Sequence, residues 1–145
     1  MYSKILVALE NSPVDRCVLR HVKELAMRMQ SELLLVHVAD GWVARNFEKL
    51  KLTESEEMKT DREYLEKTAA ELRSSGLKVR VHLALGDPPT EILKTAEAEH
   101  CGLIAMTSHG HRLIGDLIFG STIHEVRHRT SIPVLLVKAG TVSEV

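Results

Sequence analysis

Gly110, Gly115 and Gly120 stand five residues apart, between a strand-like run that ends at Met106 and a helical run that begins near Ser121. Glycine lets backbone N–H groups approach an anion closely, and a helix start adds unpaired amides and the positive end of the helix dipole. The chemistry this arrangement suits is phosphate binding. The dipole contributes only about 0.3–1 kcal/mol, up to about 2 when partly buried, so several amides and a hydroxyl must act together. Ser121 and Thr122 carry such hydroxyls. The common phosphate signatures are absent. Gly110 and Gly115 have the Walker A spacing, but Asp116-Leu117 stands where Lys-Ser/Thr is required, and there is no GxGxxG. Both a P-loop NTPase and a Rossmann dehydrogenase are argued against.

Three other patterns invite chemistry. His124-Glu125-Val126-Arg127-His128 spells HExxH on a predicted helix, the spacing that places two zinc ligands on one face with a general base between them. No third ligand lies at a useful distance downstream, and the helix runs scarcely two turns before Pro133, so the two histidines are expected to be solvated and not zinc ligands of a catalytic site. His109, His111, His124 and His128 are half of the eight histidines. Protonated, those near the glycines would strengthen an anion site below about pH 6.5. His37, in an apolar run, is expected to be a hydrogen-bonded core residue. Ser121 lacks the GxSxG of a nucleophile elbow and is read as a helix cap and phosphate ligand.

These residues need elements to position them. Ile5 to Leu9 and Leu33 to Val38 are short apolar runs that suit strands buried on both faces, and Leu103 to Met106 and Val134 to Val137 are read as the fourth and last strands. Leu77 to Leu85 alternates, which predicts an edge strand. Between them fall helical patterns. Ser12, Pro13 and Asp15 open one as cap, first-turn proline and first-turn acid, with Val14, Val18, Val22, Leu25, Ala26 and Met29 on its apolar face. Thr53 and Glu56 offer a capping box for a helix carrying Met58, Leu65, Ala69 and Leu72, ended by Gly76. The charge run from Glu54 to Glu71 within it reads as a solvated face. Gly86-Asp87-Pro88-Pro89 starts a helix with Ile92, Leu93 and Ala96 inward, and the last runs from Ser121 to about Arg129.

Five strands alternating with four helices predict an α/β fold: a single-domain open parallel five-stranded sheet, with helices on both faces and right-handed crossovers. Residues 1–140 form the domain and 141–145 a frayed tail. In strand order 3-2-1-4-5 the order reverses between the first and fourth strands, and ligands of such sheets bind beyond the carboxyl ends at that reversal. Glu10-Asn11-Ser12 and Thr107-Ser108-His109-Gly110 meet there.

Composition narrows the function. A chain of 145 residues with 44% hydrophobic residues builds one ordinary core, and 19 Lys and Arg against 20 Asp and Glu give a net charge of -1, which excludes a general nucleic-acid binder. No apolar run reaches the roughly 18 residues of a membrane span, and a cytosolic location is expected. Cys17 and Cys101 are too few and too separated for a disulfide framework and are expected to act as small apolar residues.

Thr107-Ser108-His109-Gly110, nine residues, then Gly120-Ser121 resembles the Gly-x2-Gly-x9-Gly-Ser/Thr signature of the universal stress protein family, with Thr107 in place of the first glycine. The resemblance extends to Lys4-Ile5-Leu6-Val7-Ala8, Leu34-Leu35-Val36-His37-Val38, Gly86-Asp87-Pro88 and Ile132 to Val137. Two further departures are Glu10-Asn11-Ser12 for the usual Asp-Gly-Ser, which keeps the charge on a longer arm, and Gly102 for the Asp before the fourth strand. The ATP-binding branch implies that Ala8, Leu9, Glu10 and Val38 surround adenine. Met106 and Thr107 would neighbour the ribose, and His109, Gly110, Gly120, Ser121 and Thr122 would lie at the phosphates. It implies ATP, or AMP or ADP, with Mg²⁺ or Mn²⁺ bound through the phosphates, hydrolysis that is slow at most, and a homodimer through Val134 to Val137. A nucleotide-free dimeric interaction protein is the alternative.

Overall fold

The computed structural model describes residues 1–39, 51–109 and 117–140. Gly110, His111, Gly115 and the tail 141–145 lie outside the described residues. Five strands and four helices alternate among them: β1 (Lys4–Ala8), α1 (Asp15–Met29), β2 (Glu32–Ala39), α2 (Lys51–Arg73), β3 (Val79–Leu85), α3 (Pro88–Ala98), β4 (Leu103–Ser108), α4 (Leu117–Arg129) and β5 (Val134–Lys138). The sheet has the order β3-β2-β1-β4-β5 and every pairing is parallel. The expected architecture is therefore the observed one.

Side-chain alternation along the central strands divides the core. Ile5 and Val7 of β1, Leu33 and Leu35 of β2, and Leu103 and Ala105 of β4 pack against Val18, Val22 and Ala26 of α1 and Leu65, Ala69 and Leu72 of α2. Leu6, Ala8, Leu34, Val36, Ile104 and Met106 turn to the other face, against Ile92, Leu93 and Ala96 of α3 and Val126 of α4. Burial of each large side chain contributes about 1.5–3 kcal/mol, and residues apolar on both faces are what these runs consist of. The outer strands differ. β3 exposes Arg80 and His82, and Arg80 joins Glu32 at 2.8 Å and also Glu99, which Lys4 meets at 3.3 Å. The β5 edge is apolar, and Leu136 is 38% exposed.

Several boundaries depart from local signals. α2 is already helical at Lys51, so Thr53 and Glu56 lie within it instead of capping it. Its Lys- and Glu-rich start has ample helix propensity. α4 begins at Leu117, which places Gly120 and Ser121 in its fourth and fifth positions; Ser121 is not a cap. β4 runs to Ser108 because β5 extends the ladder, with Thr107 opposite Val137 and Ser108 opposite Lys138. Ser12 does not cap α1 through its side chain. Val14 occupies that position, and the Ser12 carbonyl accepts from the Asp15 amide at 3.1 Å. Asp87 does cap α3. Gly86, with φ of 137°, makes the turn before it in a conformation that only glycine adopts without strain.

Candidate functional site

Beyond the carboxyl ends of β1 and β4, where the strand order reverses, Glu10 and His109 meet. His109 Nε2 lies 2.6 Å from Glu10 Oε2, and their side chains are 13% and 5% exposed. A carboxylate paired with an imidazole can exchange that partner for a ligand hydroxyl, a phosphate oxygen or a cation.

A buried carboxylate shapes the loop that presents Glu10. Asp15, 1% exposed, accepts from the amides of Glu10 at 2.9 Å, Asn11 at 2.9 Å and Ser12 at 3.3 Å. The Tyr64 hydroxyl of α2 donates to the same carboxylate at 2.5 Å. Burial pushes the Asp15 carboxyl above its ordinary range although these donors pull it down. Burial, then the Asp15 charge, push the Tyr64 phenol far above its ordinary value, so it remains a proton donor. Asn11 completes the turn with φ of 62°, a left-handed conformation that asparagine tolerates better than most residues.

A second set of polar contacts ties this loop to β2 and α2. Asn11 Nδ2 donates to Asp61 Oδ1 at 2.7 Å, and Asp61 Oδ2 lies 3.5 Å from His37 Nε2. His37 Nδ1 lies 2.8 Å from the Leu9 carbonyl, which can only accept, so the proton belongs on Nδ1. This is the hydrogen-bonded role expected of His37. It also ends the β1–β2 ladder: the Leu9 amide donates to Val36 at 2.8 Å, and His37 takes the next carbonyl along. By the alternation of a parallel pair, Val38, two residues beyond Val36, turns its own N–H and C=O to the same side.

The residues expected at the site thus fall into three groups. Glu10 and His109 follow β1 and β4 and meet at the reversal, and Val38 lies near the end of β2, on the far side of β1. Ala8, Leu9 and Met106 are buried, and their side chains belong to the core. Thr107 shares the face of Leu103 and Ala105, is fully buried, and takes no left-handed φ, so threonine meets no backbone obstacle there. Its Oγ1 has no hydrogen-bond partner among the described residues. Gly120, Ser121 and Thr122 lie in the first turns of α4, with Ser121 exposed and Thr122 buried.

Sequence reasoning missed Asp61 and Tyr64, and it read Asp15 only as a first-turn acid and Asn11 only as part of the loop after the first strand. Asp61 is 8% exposed, against the solvated face expected of its charge run. Cys101 is buried, and burial pushes its thiol up to about 11, consistent with an inert core residue. No three His, Cys, Asp or Glu residues converge in a metal-holding group among the described residues, and none of their helices is long and apolar enough to cross a membrane.

The chain is a doubly wound α/β protein with an all-parallel sheet, and Glu10 and His109 meet where its strand order reverses. The universal stress protein family model matches residues 1–138, and the chain belongs to that family. Universal stress protein MJ0577 of Methanocaldococcus jannaschii is 33% identical over 158 aligned positions, covering 95% of this chain and 96% of that protein. The solved structure of MJ0577 superposes with a TM-score of 0.84 at 30% identity, over 97% of this chain and 99% of that one. A universal stress protein from Archaeoglobus fulgidus, solved in complex with dAMP, has a TM-score of 0.70 at 24% identity over 94% and 98% of the two chains. Another, solved in complex with cAMP, has a TM-score of 0.69 at 16% identity over 96% and 98%.

Proposed function

We propose that the chain binds an adenine nucleotide, with ATP as the preferred form, at the reversal between β1 and β4, and acts as a cytosolic stress-response module that senses it. The observation that carries this reading is the meeting of Glu10 and His109 at 2.6 Å, which brings an acceptor and a donor from opposite sides of the reversal to one point. The Val38 main-chain edge suits the hydrogen-bonding edge of adenine. Glu10 suits the ribose hydroxyls, and the α4 amides with Ser121 suit phosphates. That two other members of the fold hold dAMP and cAMP supports an adenylate over other phosphate compounds.

The donor set fits a cation carried in by the nucleotide. Mg²⁺ and Mn²⁺ seek about six hard oxygens, and among the described residues no group of three His, Cys, Asp or Glu side chains converges, so beside Glu10 phosphate oxygens would complete the shell. Bound, the cation would neutralise polyphosphate charge. Binding is the activity proposed, with turnover slow at most, since phosphoryl transfer needs a water positioned in line with the leaving group as well as a bound nucleotide. Isothermal titration of the chain with ATP and Mg²⁺ tests this. Saturable heat with lower affinity for AMP is expected, and no heat up to about 1 mM, the level of a 4 kcal/mol interaction, overturns it.

We also infer that two copies pair through β5. Leu136 is 38% exposed and Val134, Leu135 and Val137 are half-buried on an edge strand, an arrangement that monomers ordinarily avoid. Sedimentation at micromolar protein is expected to give a dimer.

A further inference from the structure

α4 carries a polar pair that the nucleotide reading does not use. Helical spacing sets Thr122 and Val126, both buried, toward the sheet, and His124 and His128, both exposed, about half a turn round the helix from them. The two imidazoles are four residues apart, so they project from one side of adjacent turns. Their ring centroids are 4.2 Å apart with the planes tilted by 58°. At that separation small side-chain rotations bring one nitrogen of each ring to the roughly 2.0–2.1 Å that a zinc–imidazole bond requires.

The surroundings permit a cation. His128 lies in the last turn, where the helix dipole is negative. Of the two arginines in that turn, Arg129 is drawn toward α3, where its Nη1 donates to Thr90 Oγ1 at 3.3 Å. Arg127 is exposed, and solvent screens its charge. Imidazole pairs favour borderline metals over hard ones, so Cu²⁺, Ni²⁺ and Zn²⁺ are the candidates, and Mg²⁺ and Ca²⁺ are not.

We propose that His124 and His128 chelate one borderline divalent cation on the outer face of α4, with water in the remaining positions. No third protein ligand converges among the described residues, so the ion sits open to solvent. Glu125 lies off the face of the pair, and no hydrolytic step follows from the HExxH spelling. The ion would clamp the last two turns of α4 and stabilise the folded chain by mass action.

Titration of the full-length chain, free of nucleotide, with Zn²⁺ tests the proposal, with Mg²⁺ in parallel. One Zn²⁺ per chain and no Mg²⁺ heat are expected. His124→Ala and His128→Ala should each weaken zinc at least about tenfold, and His82→Ala, exposed on β3, should leave it unchanged. Absence of zinc heat in the wild type, or equal affinity in either α4 variant, overturns the proposal. A measurement on the wild type guards against a variant that misfolds. In an NMR titration the imidazole signals of His124 and His128 should shift first, and earlier shifts at any other histidine overturn the assignment.

Discussion

Replacing Tyr64 with phenylalanine removes one hydroxyl and keeps the ring. In the native chain that hydroxyl donates at 2.5 Å to Asp15, which is 1% exposed, while three amides of the β1–α1 loop supply the other donors. A hydrogen bond to a buried charged group contributes about 1.5–3 kcal/mol, and three remaining donors place the loss near the lower part of that range, about 2 kcal/mol. For a domain of this length that lowers Tm by roughly 4–8 °C. The penalty also depends on pH, with a definite sign. Burial holds Asp15 above its ordinary value of 3.8, so the folded chain keeps that proton to higher pH than the unfolded chain, and ionisation removes stability as pH rises across the interval. Tyr64 opposes this by favouring the carboxylate. Loss of its hydroxyl therefore raises Asp15 further, and the penalty is full near neutral pH and shrinks as acid protonates Asp15. Urea unfolding of wild type and Tyr64→Phe, near neutrality and near about pH 4, reads both terms. Coincident midpoints near neutrality, or a penalty of the same size at both pH values, refute the reasoning.

Thr107→Val replaces a buried hydroxyl that has no partner among the described residues with a methyl group, and the chain should gain about 1 kcal/mol, seen as a Tm higher by roughly 2–4 °C in a thermal scan. A lower Tm would show that the hydroxyl is paired. Asp87→Ala removes the cap that accepts from the Thr90 amide at 3.3 Å and should cost about 1 kcal/mol in urea unfolding. Leu136→Lys sets like charges on the β5 edge, and sedimentation should show monomers with an unchanged circular dichroism spectrum. A persistent dimer would remove β5 from the interface.

The sheet was legible because its central strands are apolar on both faces. Ile5 to Leu9 and Leu33 to Val38 have a composition that only a strand with helices above and below requires. Glu10 and His109 were legible through topology, since a strand order predicts which loops meet. The ends of β4 and α4 were not. β4 is lengthened by its pairing with Val137 and Lys138, a tertiary effect, and α4 runs through Gly120, where a local rule expects a boundary. The loop scaffold was hidden for another reason. Asp15 and Tyr64 are 49 residues apart, and Asn11 and Asp61 are 50 apart. An acid in a first turn ordinarily serves the helix dipole, and an acid within a charge run ordinarily serves solvent. The one available signal was Tyr64, an aromatic residue within a highly charged helix.

The unlike character of the two outer strands governs how far assembly can proceed. A copy that approaches β3 meets Arg80 and His82 instead of an apolar rim, whereas β5 presents Leu136. In the pairing proposed above, contact of β5 with its own counterpart would be self-complementary, so each copy would use up the other's adhesive strand and leave the charged β3 borders outward. Growth by that contact would then stop at two copies.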